Sequence, residues 1–368
     1  MAFAEEYRGK RVFLTGHTGF KGSWLAEWLL GLGAEVTGYA LPPNTSPALF
    51  TQLGLTARLN HIEADVRDLP RLRSAMDADR PDYIFHLAAQ PLVRASYRDP
   101  VETYSTNVMG TVNLLEAVRL AGRPCTVVVV TTDKCYENHE AQHRYRESDP
   151  LGGHDPYSSS KAAAELVTSA YRRSYFSAPE SSVRLASGRA GNVLGGGDWA
   201  QDRIVPDCIR ALQRGETIPV RNKVSTRPWQ HVLEPLSGYL ALGAQLAARP
   251  AGPAASALAS AFNFGPAPEA NRTVAELVAE ILRHWPGHWD DRSDPAAVHE
   301  AGRLDLATDK AQDLLQWQPV WPFEEAIART VAWYRAHETN PAQVAPFTTD
   351  QIAAYTAEAR ARKISWAV

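Results

Sequence analysis

Cysteine is scarce in this chain. Its three cysteines, Cys125, Cys135 and Cys208, show neither metal-ligand spacing nor a disulfide framework. No metal is therefore expected, and a reducing cytoplasm is the expected compartment. A run of about 20 apolar residues is missing, so no membrane-spanning helix and no membrane partner are expected. The first residues are acidic at Glu5 and Glu6 and carry no long apolar segment, which argues against a signal peptide. A basic excess is missing as well: 38 Lys and Arg against 41 Asp and Glu leave a formal charge of −3, which argues against nucleic acid as the principal partner. There is no internal repeat and no extended low-complexity tract. What is present is an ordinary globular composition, 45% hydrophobic and 21% charged over 368 residues, enough for one large or two modest domains.

The chain turns on residues 131–161. A short β-branched run at 127–130 leads into Thr131, Thr132, Asp133 and Lys134, and reads as a buried parallel strand. Its polar residues then sit at the carboxyl end of the strand, where open α/β sheets place their chemistry. After a charged loop, Tyr157 and Lys161 open a helical pattern and share one helix face. A phenol near its reference pKa of ~10 is a poor base at neutral pH. A nearby cation favours the phenolate and brings it toward the working range. The pair suits removal of a proton from a hydroxyl while a cofactor takes the hydride; the plain alternative is an exposed Tyr and Lys at a helix start.

Near the N-terminus a strand at 11–15 runs into Gly16, His17, Thr18, Gly19, Phe20, Lys21 and Gly22, followed by helical spacing of Trp24, Leu25, Trp28, Leu29 and Leu32. A glycine-rich turn between strand and helix is the setting of a dinucleotide fingerprint. Gly16 permits the tight turn, Gly19 lets backbone approach a pyrophosphate, Gly22 allows helix to pack on strand, and the helix N-terminus attracts the anion. The plain alternative is an ordinary βα turn. Together with Tyr157 and Lys161, this loop resembles the extended short-chain dehydrogenase/reductase superfamily, whose members act mostly on sugar nucleotides.

The resemblance runs from about residue 10 to about residue 335 and, with strands alternating with helices, implies a doubly wound parallel Rossmann sheet with a smaller C-terminal α/β substrate-binding part. The expected divisions are 1–190, joined by 228–264, for the dinucleotide; 191–335 mostly for the sugar nucleotide; and 336–368 as an extension of unknown role with a helix over 351–362. The second strand, 35–40, ends without the acid that would hold an NAD ribose. Lys21 lies near that ribose in many relatives, so NAD is expected with NADP left open. Asp65 and Val66, after a strand at 61–64, are implied at the adenine, with Asp68 capping a short helix. Leu87 ends a strand at 83–87 and, with Ala88 and Ala89 after it, would lie along the cofactor, with Gln90 toward the substrate; His86 reads as a core residue. Asn107, at the start of a long helix, is grouped with the cofactor residues; its plain alternative is a polar group satisfied in helix packing. After a strand at 183–189, the pattern Arg-x-x-Asn-Val-x-Gly puts Asn192 at the substrate pyrophosphate. Arg203 and Arg227 are implied at the substrate, Arg227 at its diphosphate, where guanidinium geometry suits paired phosphate oxygens; a surface salt bridge is the alternative for Arg227. Residues 262–265 match another family strand, 274–282 form an amphipathic helix, a helix stops before Pro319, and 251–261 read as a loose surface connection.

Within the superfamily, Thr132-Asp133-Lys134, with lysine where a glutamate is commonest, and the segments 16–25, 133–138 and 151–157 resemble the CDP-glucose 4,6-dehydratases. That resemblance implies that Tyr157 takes the 4-hydroxyl proton, supported by Thr132 and Lys161, and that Asp133 protonates the departing 6-hydroxyl, for which desolvation must raise its pKa. Lys134 either removes the C5 proton as a neutral amine or stays charged while Asp133 or water moves the proton; a solvated lysine is the plain reading. Competing readings are a 4-epimerase or reductase, a dehydratase of a dTDP-, GDP- or UDP-sugar, and a non-catalytic cofactor-binding partner protein. Relatives pair through the helices carrying Asn107 and Tyr157, which implies a homodimer or homotetramer.

Overall fold

Six short segments, most of them rich in β-branched or aromatic residues, form successive strands: β1 (Arg11–Thr15), β2 (Glu35–Ala40), β3 (Asn60–Glu63), β4 (Tyr83–His86), β5 (Cys125–Val130) and β6 (Val183–Ala190). With the later strand Ala261–Phe264 they make one seven-stranded parallel sheet, ordered Ala261–Phe264, β6, β5, β4, β1, β2, β3. The expected strands lie within two residues of the observed ones. The computed structural model describes residues 3–178, 181–249, 257–294 and 302–368. Of the connection expected over 251–261, residues 251–256 fall outside the described residues, and Ala261 already opens the last sheet strand.

Strand periodicity divides the core. Val12, Leu14, Phe85, Val128 and Val130 point to one face, against Trp24, Leu25 and Trp28 of the helix Phe20–Gly31 and Leu236 and Leu240 of the helix Leu233–Ala248. Phe13, Ile84, Val127 and Val129 point to the other, against Leu72 and Met76 of Leu69–Asp79 and Leu114, Leu115 and Val118 of Gly110–Ala121. Each fully buried side chain of this size contributes about 1.5–3 kcal/mol, so the alternation fixes the register as well as the faces. The chain starts at the sheet's centre, winds out to β3, then crosses to β4 beside β1. That reversal leaves a crevice at the carboxyl ends of β1 and β4.

The helix expected to begin at Asn107 begins earlier. Asp99 caps it by accepting from Glu102 N, Pro100 occupies its first turn, and the helical path runs from Pro100–Tyr104 through a π turn, Ser105–Met109, into Gly110–Ala121. The Asp-Pro pair is a start signal, and Asn107 sits inside the π turn. Asp68 does cap its helix, accepting from Arg71 N. After β6 the elements shorten: Val193–Leu194 pairs with Gln230–His231, Thr226–Pro228 with Asn271–Thr273, and Ile218–Val220 with Trp289–Asp291. The amphipathic helix Val274–His284 begins with a full capping box from Thr273 and Glu276.

The C-terminal segment is part of the main core. The helix Val344–Ala361 buries Ile352 and Tyr355, and Trp366 stacks on Phe3 with ring centroids 5.0 Å apart. Chain start and chain end thereby close on the helix Phe20–Gly31 through Trp28.

Candidate active site

The crevice opens into a cavity of about 780 Å³ at the carboxyl ends of the strands. Its floor on one side is the glycine loop. Gly16 has φ +76, and a Cβ there would stand 2.6 Å from Ala88 N; a Cβ on Gly22 would stand 2.1 Å from Gly16 O. Neither position tolerates a side chain, so loop, helix and β4 tail are in direct backbone contact. Gly19 begins the helix Phe20–Gly31 without a side-chain cap, which leaves the helix N-terminal N–H groups available to an anion from the cavity. Thr18 Oγ1 donates to Leu41 O at 2.8 Å, tying the loop to the end of β2. Gly16, Thr18, Gly19, Phe20, Lys21 and Gly22 all line the cavity, as do Asp65, Val66, Leu87, Ala88 and Ala89. Lys21 is turned inward: its Nζ meets Tyr239 Oη at 3.5 Å, and burial, with Arg203 and Lys161 nearby, lowers it to about 7. The placement near the adenosine ribose that kept NADP open is therefore not the one observed. The Asp65 carboxylate is held by Arg67, which keeps it below the usual range.

The opposite wall is built by β5 and the helix Pro156–Tyr175. Asp155 caps that helix by accepting from Ser158 N, and Pro156 fills its first position, so Tyr157 and Lys161 stand in the first two turns beside the β5 tail. Thr132, Asp133, Lys134, Tyr157 and Lys161 all face the cavity. Thr132 Oγ1 donates to Asp133 Oδ1 at 2.9 Å, while Asp133 Oδ2 is buried without a hydrogen-bond partner. Lys134 Nζ donates to Asn192 Oδ1 at 3.3 Å and lies 3.9 Å from Asp133 Oδ1. Lys161 Nζ donates to Val130 O at 3.2 Å.

The phenol behaves differently from expectation. Burial pushes Tyr157 up to about 12; a hydrogen bond with Thr132 lowers it, Asp133 raises it, and the cation that lowers it is Arg203. Lys161 is itself drawn down to about 8 by burial, with Glu165 opposing. Sharing a helix face with Lys161 therefore does not bring the phenol toward neutrality in this arrangement, where Lys161 Nζ is hydrogen-bonded to Val130 O.

Beyond the strand ends the wall carries arginines interleaved with aspartates. Arg203 pairs with Asp198 at 2.8 Å, and Arg227, buried, donates to Thr226 O at 2.8 Å and Gly302 O at 3.2 Å. Both line the cavity together with Asn192, and so do Arg94 and Arg221, which the sequence reading did not single out. Gln90 and Asn107 do not line it. Asn107 Oδ1 accepts from Gln90 N at 2.8 Å, and its Nδ2 donates to Gln90 O and Ser160 Oγ; the Gln90 amide is taken by Leu92 and Thr103. Their side chains lock the β4 tail to the Tyr157 helix instead of reaching a ligand, which corrects the direct contacts expected of them. His86 is a core residue, bonded to Thr15 and Thr111. Glu165 was missed; it follows Lys161 by the same interval that separates Lys161 from Tyr157.

Comparison with known proteins agrees with this geometry. The sequence model of the NAD dependent epimerase/dehydratase family matches residues 12–254. The chain is 48% identical over 337 residues, 90% of its length and 92% of the relative's, to a CDP-glucose 4,6-dehydratase of Salmonella typhimurium. The structure of DesIV, a dTDP-glucose 4,6-dehydratase from Streptomyces venezuelae with NAD and TYD bound, is 26% identical, covers 92% of this chain and 99% of its own, and superposes with a TM-score of 0.76. A UDP-glucose 4-epimerase from Thermotoga maritima, at 22% identity, covers 89% of this chain and 99% of its own and shares the fold with a TM-score of 0.73. With the glycine cradle, the Tyr157–Lys161 helix face and the cavity at the β1–β4 switch in place, the chain belongs to the NAD-dependent epimerase/dehydratase family.

Proposed function

We propose that the protein is a hydro-lyase that converts CDP-D-glucose into CDP-4-dehydro-6-deoxy-D-glucose. The observation that carries this reading is Asp133, a buried carboxylate with one unpartnered oxygen beside Thr132, Tyr157 and Lys134. Interconversion at C4 alone needs no acid at C6, whereas loss of water across C5 and C6 does. The 48% identity to a CDP-glucose 4,6-dehydratase supports the cytidine nucleotide and glucose.

The backbone contact of Gly16 and Gly22, the uncapped helix start at Gly19 and the small Ala88 and Ala89 fit a dinucleotide pressed against the chain. Those residues, with Asp65 and Val66 at the far end, would hold NAD. Bound NAD supplies the acceptor, and then the donor, of one hydride, together with a positive charge at its ring. Tyr157 receives the 4-hydroxyl proton through its phenolate, which the Thr132 hydrogen bond and the Arg203 charge favour. Once C4 is a ketone, the C5 proton is acidic. Lys134 Nζ, held by Asn192 Oδ1 and close to Asp133 Oδ1, donates to the enolate oxygen and stabilises it. Asp133 then takes the C5 proton and passes it to the 6-hydroxyl, which leaves as water; as hydride returns to C6, C5 regains a proton, matched by the one Tyr157 took from the 4-hydroxyl, and the phenolate is restored. Arg203 and Arg227 bind the diphosphate. Two copies pair through the helices Pro100–Tyr104 and Pro156–Tyr175, where Val101, Tyr104 and Leu166 are 76%, 40% and 59% exposed.

The test is incubation of purified protein with CDP-, dTDP-, GDP- and UDP-linked hexoses, with NAD or NADP. The expected result is a 4-keto product, lighter by one water, from CDP-glucose with NAD. A keto product from another nucleotide overturns the substrate, and an epimer with no water lost overturns the reaction.

A further inference from the structure

Behind the residues that face the cavity, a carboxylate and a guanidinium are buried together. Glu165 lies one helical turn beyond Lys161, and both its oxygens are occupied. Its Oε1 accepts from Thr131 Oγ1 at 2.6 Å; its Oε2 accepts from Ser187 Oγ at 2.9 Å and Arg189 Nη2 at 2.8 Å. Arg189 Nη1 donates to Tyr136 Oη at 2.8 Å, and Tyr136 donates to Asn263 Oδ1 at 2.7 Å. Asn263 Nδ2 in turn holds the carbonyls of Tyr145 and Ala307. One network therefore joins the tail of β5, the Tyr157 helix, β6, the loop after Asp133 and the outer sheet strand. The side chains of Glu165 and Arg189 are 3% and 5% exposed. Burying such a pair costs desolvation that rivals its attraction, so stability alone does not account for it.

We infer that Glu165 is a positioning residue for the dehydration: it fixes the Tyr157–Lys161 face against Thr131–Asp133 and places a carboxylate one helical turn from Lys161. The inference rests on the function proposed above. The charged and titratable groups that act on Lys161 come from four elements: Glu165 on its own helix, Cys135 from the turn after β5, Lys21 from the glycine loop and His86 from β4. Burial keeps His86 neutral, lowering it to about 3, and Lys21 repels the ammonium. Glu165 is the carboxylate among these groups, and it opposes the burial that draws Lys161 down to about 8. Glu165 is itself held charged by Arg189, with Arg172 and Lys310 further out.

The experiment compares native protein, Glu165→Gln, Glu165→Asp and the pair Glu165→Gln with Arg189→Gln, which leaves no lone buried charge. Two quantities are followed across pH: kcat and KM on CDP-glucose with NAD, and the midpoint of amine labelling at Lys161, read by peptide mass spectrometry. Glu165→Gln is expected to lower kcat about tenfold or more with KM changed by less than about twofold. Removing the carboxylate disfavours the ammonium, so the alkaline limb of kcat and the Lys161 midpoint both move to lower pH. Glu165→Asp recovers part of each effect, and the pair shows the same shift. A Lys161 midpoint that stays in place in a folded variant overturns the proposal. A shifted midpoint in a protein with no dehydratase activity keeps the charge-holding role and overturns the function instead.

Discussion

Tyr157 rests as a neutral phenol, pushed by burial to about 12, and the groups that favour its ionised form are Thr132 and Arg203. Its reactivity therefore depends on what enters the cavity, since a group this far above neutrality is a weak base in the resting protein. Tyr157→Phe keeps the ring and removes the oxygen. It is expected to lower kcat by about 10²–10⁴-fold with little change in KM, measured by steady-state formation of the keto sugar. Survival of full activity would show that another group takes the 4-hydroxyl proton. Asp133 carries the complementary role. Its Oδ2 is unpartnered and Lys134 Nζ lies 3.9 Å from its other oxygen, the arrangement on which the proposed proton transfer from C5 to the 6-hydroxyl rests.

At the scale of elements, the glycine loop, β5 with its polar tail and the Tyr157 helix were legible because each rests on a local pattern: glycine spacing, a β-branched run, a capped helix start. Gln90 and Asn107 were legible as residues of interest but not as bridging groups, because their partners Leu92, Thr103 and Ser160 lie on other turns and helices. The Glu165–Arg189–Asn263 network has no local signature, since its members meet only when three strands pair. A second buried carboxyl shows the same limit. Glu234, in the first turn of Leu233–Ala248, accepts from Val320 N, Trp321 N and Tyr355 Oη at 2.9, 2.7 and 2.6 Å. Burial raises it from 4.5 to about 7 despite those three donors. A carboxyl whose folded value exceeds its unfolded one stabilises the protein below about pH 4.5 and loses that contribution as pH rises to about 7. The change is of order 3 kcal/mol. Denaturant titrations between about pH 5 and pH 8 should show native stability falling with this slope, whereas Glu234→Gln should start lower, with a donor left unpaired, and lack that component of the slope. Equal slopes in the two proteins would show that Glu234 is already ionised near pH 5.

Across the whole molecule, one sheet is buried on both faces and the last 25 residues, 344–368, return to pack beside the first helix. The 336–368 segment had no readable role in sequence because its apolar residues match surfaces supplied by Trp28, Phe3 and Glu234, which are distant in the chain. The helix Val344–Ala361 begins seven residues before the 351–362 span expected from sequence and ends one residue before its end. On the outside, the exposed apolar residues of Pro100–Tyr104 and Pro156–Tyr175 define the proposed pairing face. Leu166→Glu should convert a dimer to a monomer in sedimentation velocity, with the secondary structure unchanged; an unaltered sedimentation coefficient would place the contact elsewhere. The most direct test of the chemistry uses CDP-glucose carrying deuterium on C4. The predicted product is lighter by one water and carries the deuterium on C6, because the hydride taken from C4 is returned within the same site after Asp133 has moved the C5 proton. Deuterium found again on C4, in a sugar that has lost no water, would contradict the account.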